Sequence, residues 1–193
     1  DTVTGRHHER ICSYSGVLAE ALREEFAEIT PAWIERIKLA ASMHDIGKVG
    51  IPDAILLKPG RFTPDERKIM ETHPVIGADT LISIRRRVGD DELMNMGIQV
   101  TLSHHERWDG KGYPFGLVAD QIPLSARIVA LADMYDALTS KRVYKAAMTH
   151  DEAKKIIKQF GGQLVSELKA ALENGGPVQA INVCAKRAPA IAD

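Results

Sequence analysis

Five of the seven histidines in this chain stand among other metal-ligating residue types: His7, His44-Asp45, His73 and His104-His105, with Asp133 further on. Imidazole nitrogen and carboxylate oxygen suit divalent Fe, Mn, Zn or Ni, and a carboxylate can bridge two ions. An adjacent His-Asp at a helix end can put a nitrogen and a bridging oxygen on the same pair of ions. A helical bundle with donors projecting into its middle is one way to house two metals. Taken alone, a His-Asp pair is more often a hydrogen-bonded core pair, and a His before proline, as at His73, is more often a surface or cap residue. Seven donors on separate helices, all at helix ends or on apolar faces, favour the metal reading. His8 and His150 match no such pattern and are predicted to be solvated.

The elements that must carry these donors read as helices throughout, with no convincing run of alternating strand residues. Ile11, Leu18, Leu22 and Phe26 recur at helical spacing over about 7–26. Thr30-Pro31 supplies an N-cap and a first-turn proline for a second helix. Ile34, Ile37 and Ala41 line one face of it, and the same stepping turns His44 inward. Gly47 and Gly50 break that helix, and 47–62 reads as a loop. Thr63-Pro64-Asp65-Glu66 is a capping box, opening a helix to about His73 that Pro74 bends or ends. Further helices are predicted over about 75–86, over 91–105 with Met94, Ile98 and Leu102 inside, and over 125–140. Residues 106–124 form a long Gly- and Pro-rich loop, and loops of that length in compact domains usually carry function. Thr149-His150-Asp151-Glu152 is a second capping box, and Gly161-Gly162 and Asn174-Gly175-Gly176 bracket a last helix.

Within this frame five motifs resemble, in order, the HD-GYP subfamily of the HD-domain metal-dependent phosphohydrolases. His44-Asp45-Ile46-Gly47-Lys48 is similar to the HD signature. Leu57-Lys58-Pro59-Gly60 and Glu71-Thr72-His73-Pro74 follow it. His104-His105-Glu106, continuing through Asp109-Gly110 to Gly112-Tyr113-Pro114, resembles the HHE and GYP loop, and the segment 132–142 resembles a later ADxxDALTSxR stretch. The similarity covers about 5–160. It implies an all-α HD-domain helical bundle with a dinuclear metal site in its centre. One ion would lie on His7, His44, Asp45 and Asp133 and the second on Asp45, His73, His104 and His105, with Asp45 bridging. It implies a water between the two ions as nucleophile, with Fe or Mn as the metals. Lys48, Arg142 and Lys145 would meet substrate phosphates, and Gly112, Tyr113 and Pro114 would shape the site beside the metals. The implied activity is phosphodiesterase cleavage of a cyclic dinucleotide, cyclic di-GMP above all. The alternatives are another nucleotide such as cGAMP, or a degenerate domain that binds without turnover. The full donor set argues against the last. Two departures stand out. Some members carry a Glu four residues before the first histidine that helps to hold a third metal, and Val3 occupies that place. Gly161-Gly162-Gln163-Leu164-Val165 lacks the usual Phe-Asp-Pro.

The bulk of the chain bounds what else it can do. With 193 residues, 45% of them apolar, it suits one domain with a full core: residues 1–176, followed by a C-terminal tail at 177–193. A formal net charge of -1 argues against a broad nucleic-acid surface, so no duplex nucleic acid is expected as partner. Arg85-Arg86-Arg87 matches no motif and reads as a solvated face. Cys12 and Cys184 make no disulfide framework and fit a reducing cytoplasm. No run is long enough to insert in a membrane and no signal peptide opens the chain. It begins without Met and runs straight into a helix, so it is expected to be part of a longer protein, with an N-terminal receiver or sensor domain.

Overall fold

The computed structural model describes residues 2–140, 148–153 and 155, with side chains from Arg6 onward. Arg142, Lys145, the expected stops at 161–162 and 174–176 and the tail at 177–193 lie outside the described residues, as does the side chain of Val3. Among the described residues there is no strand, only an isolated bridge between Asp109 and Val118, and the all-α expectation holds. In chain order the helices are α1 (Thr2–Ala21), α2 (Pro31–Ala41), α3 (Asp53–Leu56), α4 (Pro64–Met70), α5 (His73–Val88), α6 (Glu92–Ser103) and α7 (Leu124–Thr139). Two short 3-10 turns at Ile46–Gly50 and Ala119–Gln121 complete them. The chain forms two compact units, one from Asp1–Ala41 with Ile128–Asp193 and the other from Ser42–Arg127.

In the first unit α1 and α2 pack through the stripes that the helical period marks. Ile11, Leu18, Leu22, Ile34, Ile37 and Ala41 are all buried. The Trp33 N–H donates to Thr30 Oγ1, which caps α2 as expected. Helix α1 stops at Ala21, several residues short of the predicted end near Phe26, and gives way to tighter turns in which Arg23 N–H reaches Glu20 O. Leu22 still fills its core position, and Phe26 is half-buried. Tyr14 of α1 meets Tyr135 of α7 edge to face, with ring centroids 5.2 Å apart. His150 is not simply solvated. Its Nδ1 lies 3.1 Å from the Tyr135 hydroxyl, at the start of a helical turn that the Thr149–Glu152 capping box opens.

The second unit departs further from the expected elements. Its predicted loop at 47–62 contains the first 3-10 turn and α3, and Pro74 starts α5 instead of ending α4. Proline has no N–H to lose in a first turn, so His73 stands at a helix N-terminus. The buried face of α6 carries Met96, Gly97, Val100, Thr101 and Ser103, whereas Met94, Ile98 and Leu102 are only half-buried. Both series step at helical spacing, but they lie two residues out of phase and so on opposite faces. Thr101 shows which face wins, because its hydroxyl donates to Met43 O at 2.9 Å. Arg86 and Arg87 are exposed as expected, while Arg85 donates to Asn95 Oδ1.

Close backbone approach holds the 3-10 turn, α5 and α6 together. A Cβ at Gly47 would overlap the His73 carbonyl oxygen and stand 2.5 Å from Gly77 N. A Cβ at Gly77 would stand 2.6 Å from Thr101 Cγ2 and 2.9 Å from Gly47 N. Replacing Gly47 by alanine therefore forces backbone apart, where overpacking alone costs about 1–3 kcal/mol. Gly47→Ala should lose at least that much stability in urea unfolding, while a change at exposed Val49, such as Val49→Ala, should lose far less.

Candidate metal centre

Asp45 follows buried His44 just before the 3-10 turn, His73 opens α5, and His104-His105 close α6. One donor atom from each of Asp45, His73, His104 and His105 lies within 4.8 Å of the others. His73 Nε2 is 3.3 Å and His104 Nε2 3.8 Å from Asp45 Oδ1, and His44 Nε2 is 3.3 Å from Asp45 Oδ2. The other ring nitrogens are committed. His73 Nδ1 donates to Met70 O at 2.7 Å, and His104 Nδ1 to Thr101 O at 3.0 Å and Val100 O at 3.2 Å. A carbonyl only accepts, so Nδ1 carries the proton in the neutral ring and Nε2 presents a lone pair. Two lone pairs and a carboxylate oxygen thus face one another. His73 Nε2, His104 Nε2 and Asp45 Oδ1 are buried and make no hydrogen bond.

Electrostatics favour the same arrangement. Burial works against an ionised Asp45, and lone pairs turned on it give the anion no support; only positive charge, proton or metal, at the nitrogens of His104, His44 and His73 holds the carboxyl far below the usual carboxylate range. Burial pushes the His104 imidazole down, against the pull of Asp45. Burial, with His104 and His73 beside it, pushes His105 down to about 2. Neutral imidazoles around an anion form an acceptor-only cluster, which a divalent cation satisfies and a hydrogen-bond donor network does not. The residues present therefore fit a metal.

Lys48 leans back on this cluster, its Nζ 2.5 Å from Asp45 Oδ2. It is half-exposed, so the ammonium can pair with the carboxylate and still face solvent. In the loop after α6, the Tyr113 ring stacks on His105 with centroids 4.7 Å apart and planes 24° from parallel. Tyr113 N–H donates to His105 O at 3.2 Å. Gly112 makes that return possible, since a Cβ there would overlap Arg107 N and stand 2.5 Å from Glu106 Cα. Gly112, Tyr113 and Pro114 are all half-buried beside the cluster.

The remaining two expected donors belong to the first unit. His7 Nε2 lies 3.8 Å from Asp133 Oδ1. The other nitrogen, Nδ1, sits 2.7 Å from Asp136 Oδ2, so a buried carboxylate holds this ring. Asp136 is held in turn by Arg10, whose Nε and Nη2 reach its two oxygens at 2.5 and 3.1 Å, and by the Ser140 hydroxyl at 3.2 Å. Burial alone would raise the Asp136 carboxyl. His7 and Arg10 outweigh it and hold the group below the ordinary range. Asp136 and Arg10 were not singled out from sequence, although the signal was there. Asp133 and Asp136, like His7 and Arg10, are three residues apart on a helix and so share a face.

A family model described as HD domain matches residues 5–165. The chain belongs to the HD domain family. Relatives of this HD domain bear out the HD-GYP resemblance. A cyclic di-GMP phosphodiesterase of Vibrio cholerae is 47% identical over 165 residues, 84% of this chain and 34% of the relative. The cyclic di-GMP phosphodiesterase response regulator RpfG of Xanthomonas campestris is 46% identical over 79% of the chain and 38% of its own length. A 3'3'-cGAMP-specific phosphodiesterase 2 of Vibrio cholerae is 42% identical over 77% of the chain and 27% of its own length. The HD domain thus spans about a third of the length of these curated relatives.

Carboxylate anchoring of a donor histidine fixes its tautomer and raises its basicity. Asp136→Asn should shift His7 toward the form protonated on Nε2, read from ring nitrogen shifts in NMR. It should also cost on the order of 3 kcal/mol in urea unfolding, because it leaves Arg10 without its anion. An unchanged tautomer would remove Asp136 from this role.

Proposed function

We propose that this HD domain is a metal-dependent phosphodiesterase that opens cyclic di-GMP to linear pGpG. The cluster of Asp45, His73 and His104 acceptors, with His105 beside them, carries the reading, since lone pairs gathered around a buried anion call for a divalent cation. Asp45, His73, His104 and His105 would hold one ion. By the motif match, His7, His44, Asp45 and Asp133 would hold another, with Asp45 shared. The ions are expected to be iron or manganese, and when bound they would supply an activated water and offset charge on the phosphate.

The chain's own groups bind and orient the substrate. Lys48, already drawn to the anion of Asp45, would pair with a phosphate oxygen through a charge-assisted bond. Arg142 and Lys145 are assigned the same role by motif position alone. Gly112, Tyr113 and Pro114 form the wall on the His105 side. The names of the relatives support cyclic di-GMP. The cGAMP-specific relative, at 42% identity, favours a second reading in which cGAMP is the substrate. That the chain matches only part of a response regulator supports a receiver or sensor domain in the same polypeptide. No helix among the described residues is long and apolar enough to cross a membrane. With the free thiol of Cys12, this supports work in the cytoplasm.

Metal analysis of anaerobically purified protein, joined to a hydrolysis assay on cyclic di-GMP and cGAMP, tests the reading. Asp45→Ala should lose both ions and all turnover, whereas His73→Ala should keep metal in the other site. Full metal content in Asp45→Ala would sink the shared-ligand assignment. Arg142→Ala and Lys145→Ala should keep their metal and lose binding or rate. Because Val3 offers no carboxylate for a third ion, an anchor for the new terminal phosphate of pGpG is missing. The linear product should accumulate, with GMP appearing slowly if at all. A chromatographic time course giving rapid GMP without a pGpG lag would refute this.

A further inference from the structure

Glu106 directly follows the two histidines that close α6, and it is buried. Its carboxylate points away from the cluster of donors, into the loop that follows. Oε1 accepts from Phe115 N–H at 2.7 Å and Oε2 from Leu117 N–H at 2.9 Å. Between these donors Gly116 has φ +67, a left-handed conformation that suits glycine. It lets two N–H groups separated by one residue converge on a single anion, as in a backbone nest. Both oxygens of the buried carboxylate are thus engaged by main chain nine and eleven residues along.

The tie closes a ring of contacts. The chain leaves α6 at His105, passes Glu106, and returns at Gly112, where only glycine fits against the 106–107 backbone. Tyr113 then stacks on His105 and bonds to its carbonyl. Glu106 pins the far side of that return, two residues beyond Tyr113. Without the tie, the chain beyond Tyr113 is next held at Val118, which bridges Asp109, and at Ala119, whose N–H donates to Trp108 O, and the stretch at 115–117 loses its bonds to Glu106.

We propose that Glu106 is a positioning residue for the candidate metal centre, acting through Tyr113 to keep the His105 ring turned toward Asp45. The proposal rests on reading the Asp45 cluster as a metal centre, but its first test needs no metal. In the metal-free chain, the His105 ring protons should show the upfield shift that a stacked Tyr113 ring imposes. Glu106→Gln keeps the shape but puts an amide N–H against one of the two backbone donors, and should shift these signals downfield. Tyr113→Ala should do the same, and the double variant should add nothing further. Calorimetric titration with Mn2+ should then show one of two sites weakened by about 10–100-fold in Glu106→Gln, with the other unchanged. A merely structural residue would weaken both sites together and leave the His105 signals tied to overall unfolding.

Where Glu106→Gln does not fold, the parent chain answers through linkage. Saturating Zn2+ should slow amide hydrogen exchange at Phe115 and Leu117, because binding that needs the closed loop must stabilise it in return. Unchanged His105 signals in folded Glu106→Gln would overturn the proposal. So would effects of Glu106→Gln and Tyr113→Ala that add independently, or exchange at 115 and 117 blind to the metal. A parent chain that binds no Mn2+ would defeat the metal reading alone, and the metal-free signals would still judge the link between Glu106 and His105.

Discussion

A Cβ has no room at Gly47, where the backbone runs against the His73 carbonyl and the Gly77 amide, and Gly77 in turn abuts Thr101. This stack of small residues brings three separate stretches of chain to van der Waals distance. Each stretch carries a donor a short step away: Asp45 two residues before Gly47, His73 four before Gly77, His104 three after Thr101. The donors meet because their backbones meet. Long side chains that reach across a gap would sample many rotamers, whereas short ones on touching backbones need not. Precision at the site is thus a property of the glycines, which carry no chemistry themselves.

Gathering acceptors has a cost that the rest of the unit must offset. Lone pairs of His73 and His104 face an ionised Asp45 with no hydrogen bond among them, a buried arrangement that is unfavourable by itself. It persists because each ring is anchored on its opposite edge by a backbone carbonyl near the end of a helix, Met70 O for His73 and Thr101 O with Val100 O for His104. Lys48 relieves part of the negative charge from the open side. On the proposed reading, a cation would convert the repulsion into ligation, so that binding and stability are linked. The same logic explains why Lys48 can serve two partners. On the same reading, the half-exposed ammonium that balances Asp45 in the free chain would be free to meet a phosphate once a cation neutralised that charge.

Much of this was legible in the sequence. Thr30 and Thr63 announce their helices because capping is a local transaction between residues three apart. His44 was placed inward by the period that also buries Ile34, Ile37 and Ala41. Donor residues stood out because histidine and aspartate beside apolar faces are costly without a purpose. The failures were tertiary. The inner face of α6 is decided by Thr101 and His104 reaching their partners, against a more apolar series at Met94, Ile98 and Leu102. Apolar counting takes the wrong face whenever the functional face is polar. Pro74 can end one helix or start the next, and what lies beneath it decides. The 3-10 turn after His44 is shaped by packing against α5, which no local pattern encodes.

The two units anchor their donor histidines by different means. In the second, main-chain carbonyls fix His73 and His104, which needs no further support because a carbonyl carries no net charge. In the first, a buried carboxylate fixes His7, and an anion in that position must be balanced. Arg10 supplies the balance through two contacts, and the Ser140 hydroxyl adds a third. A carboxylate makes the imidazole a stronger donor than a carbonyl does, at the expense of a guanidinium that must also be kept in place. The spacing of three residues on both helices supplies it economically. One face of α1 carries ring and counter-charge, and one face of α7 carries the facing carboxylate and the anchor. That is why Asp136 and Arg10 belong with His7 and Asp133 as one assembly, although neither would touch a metal.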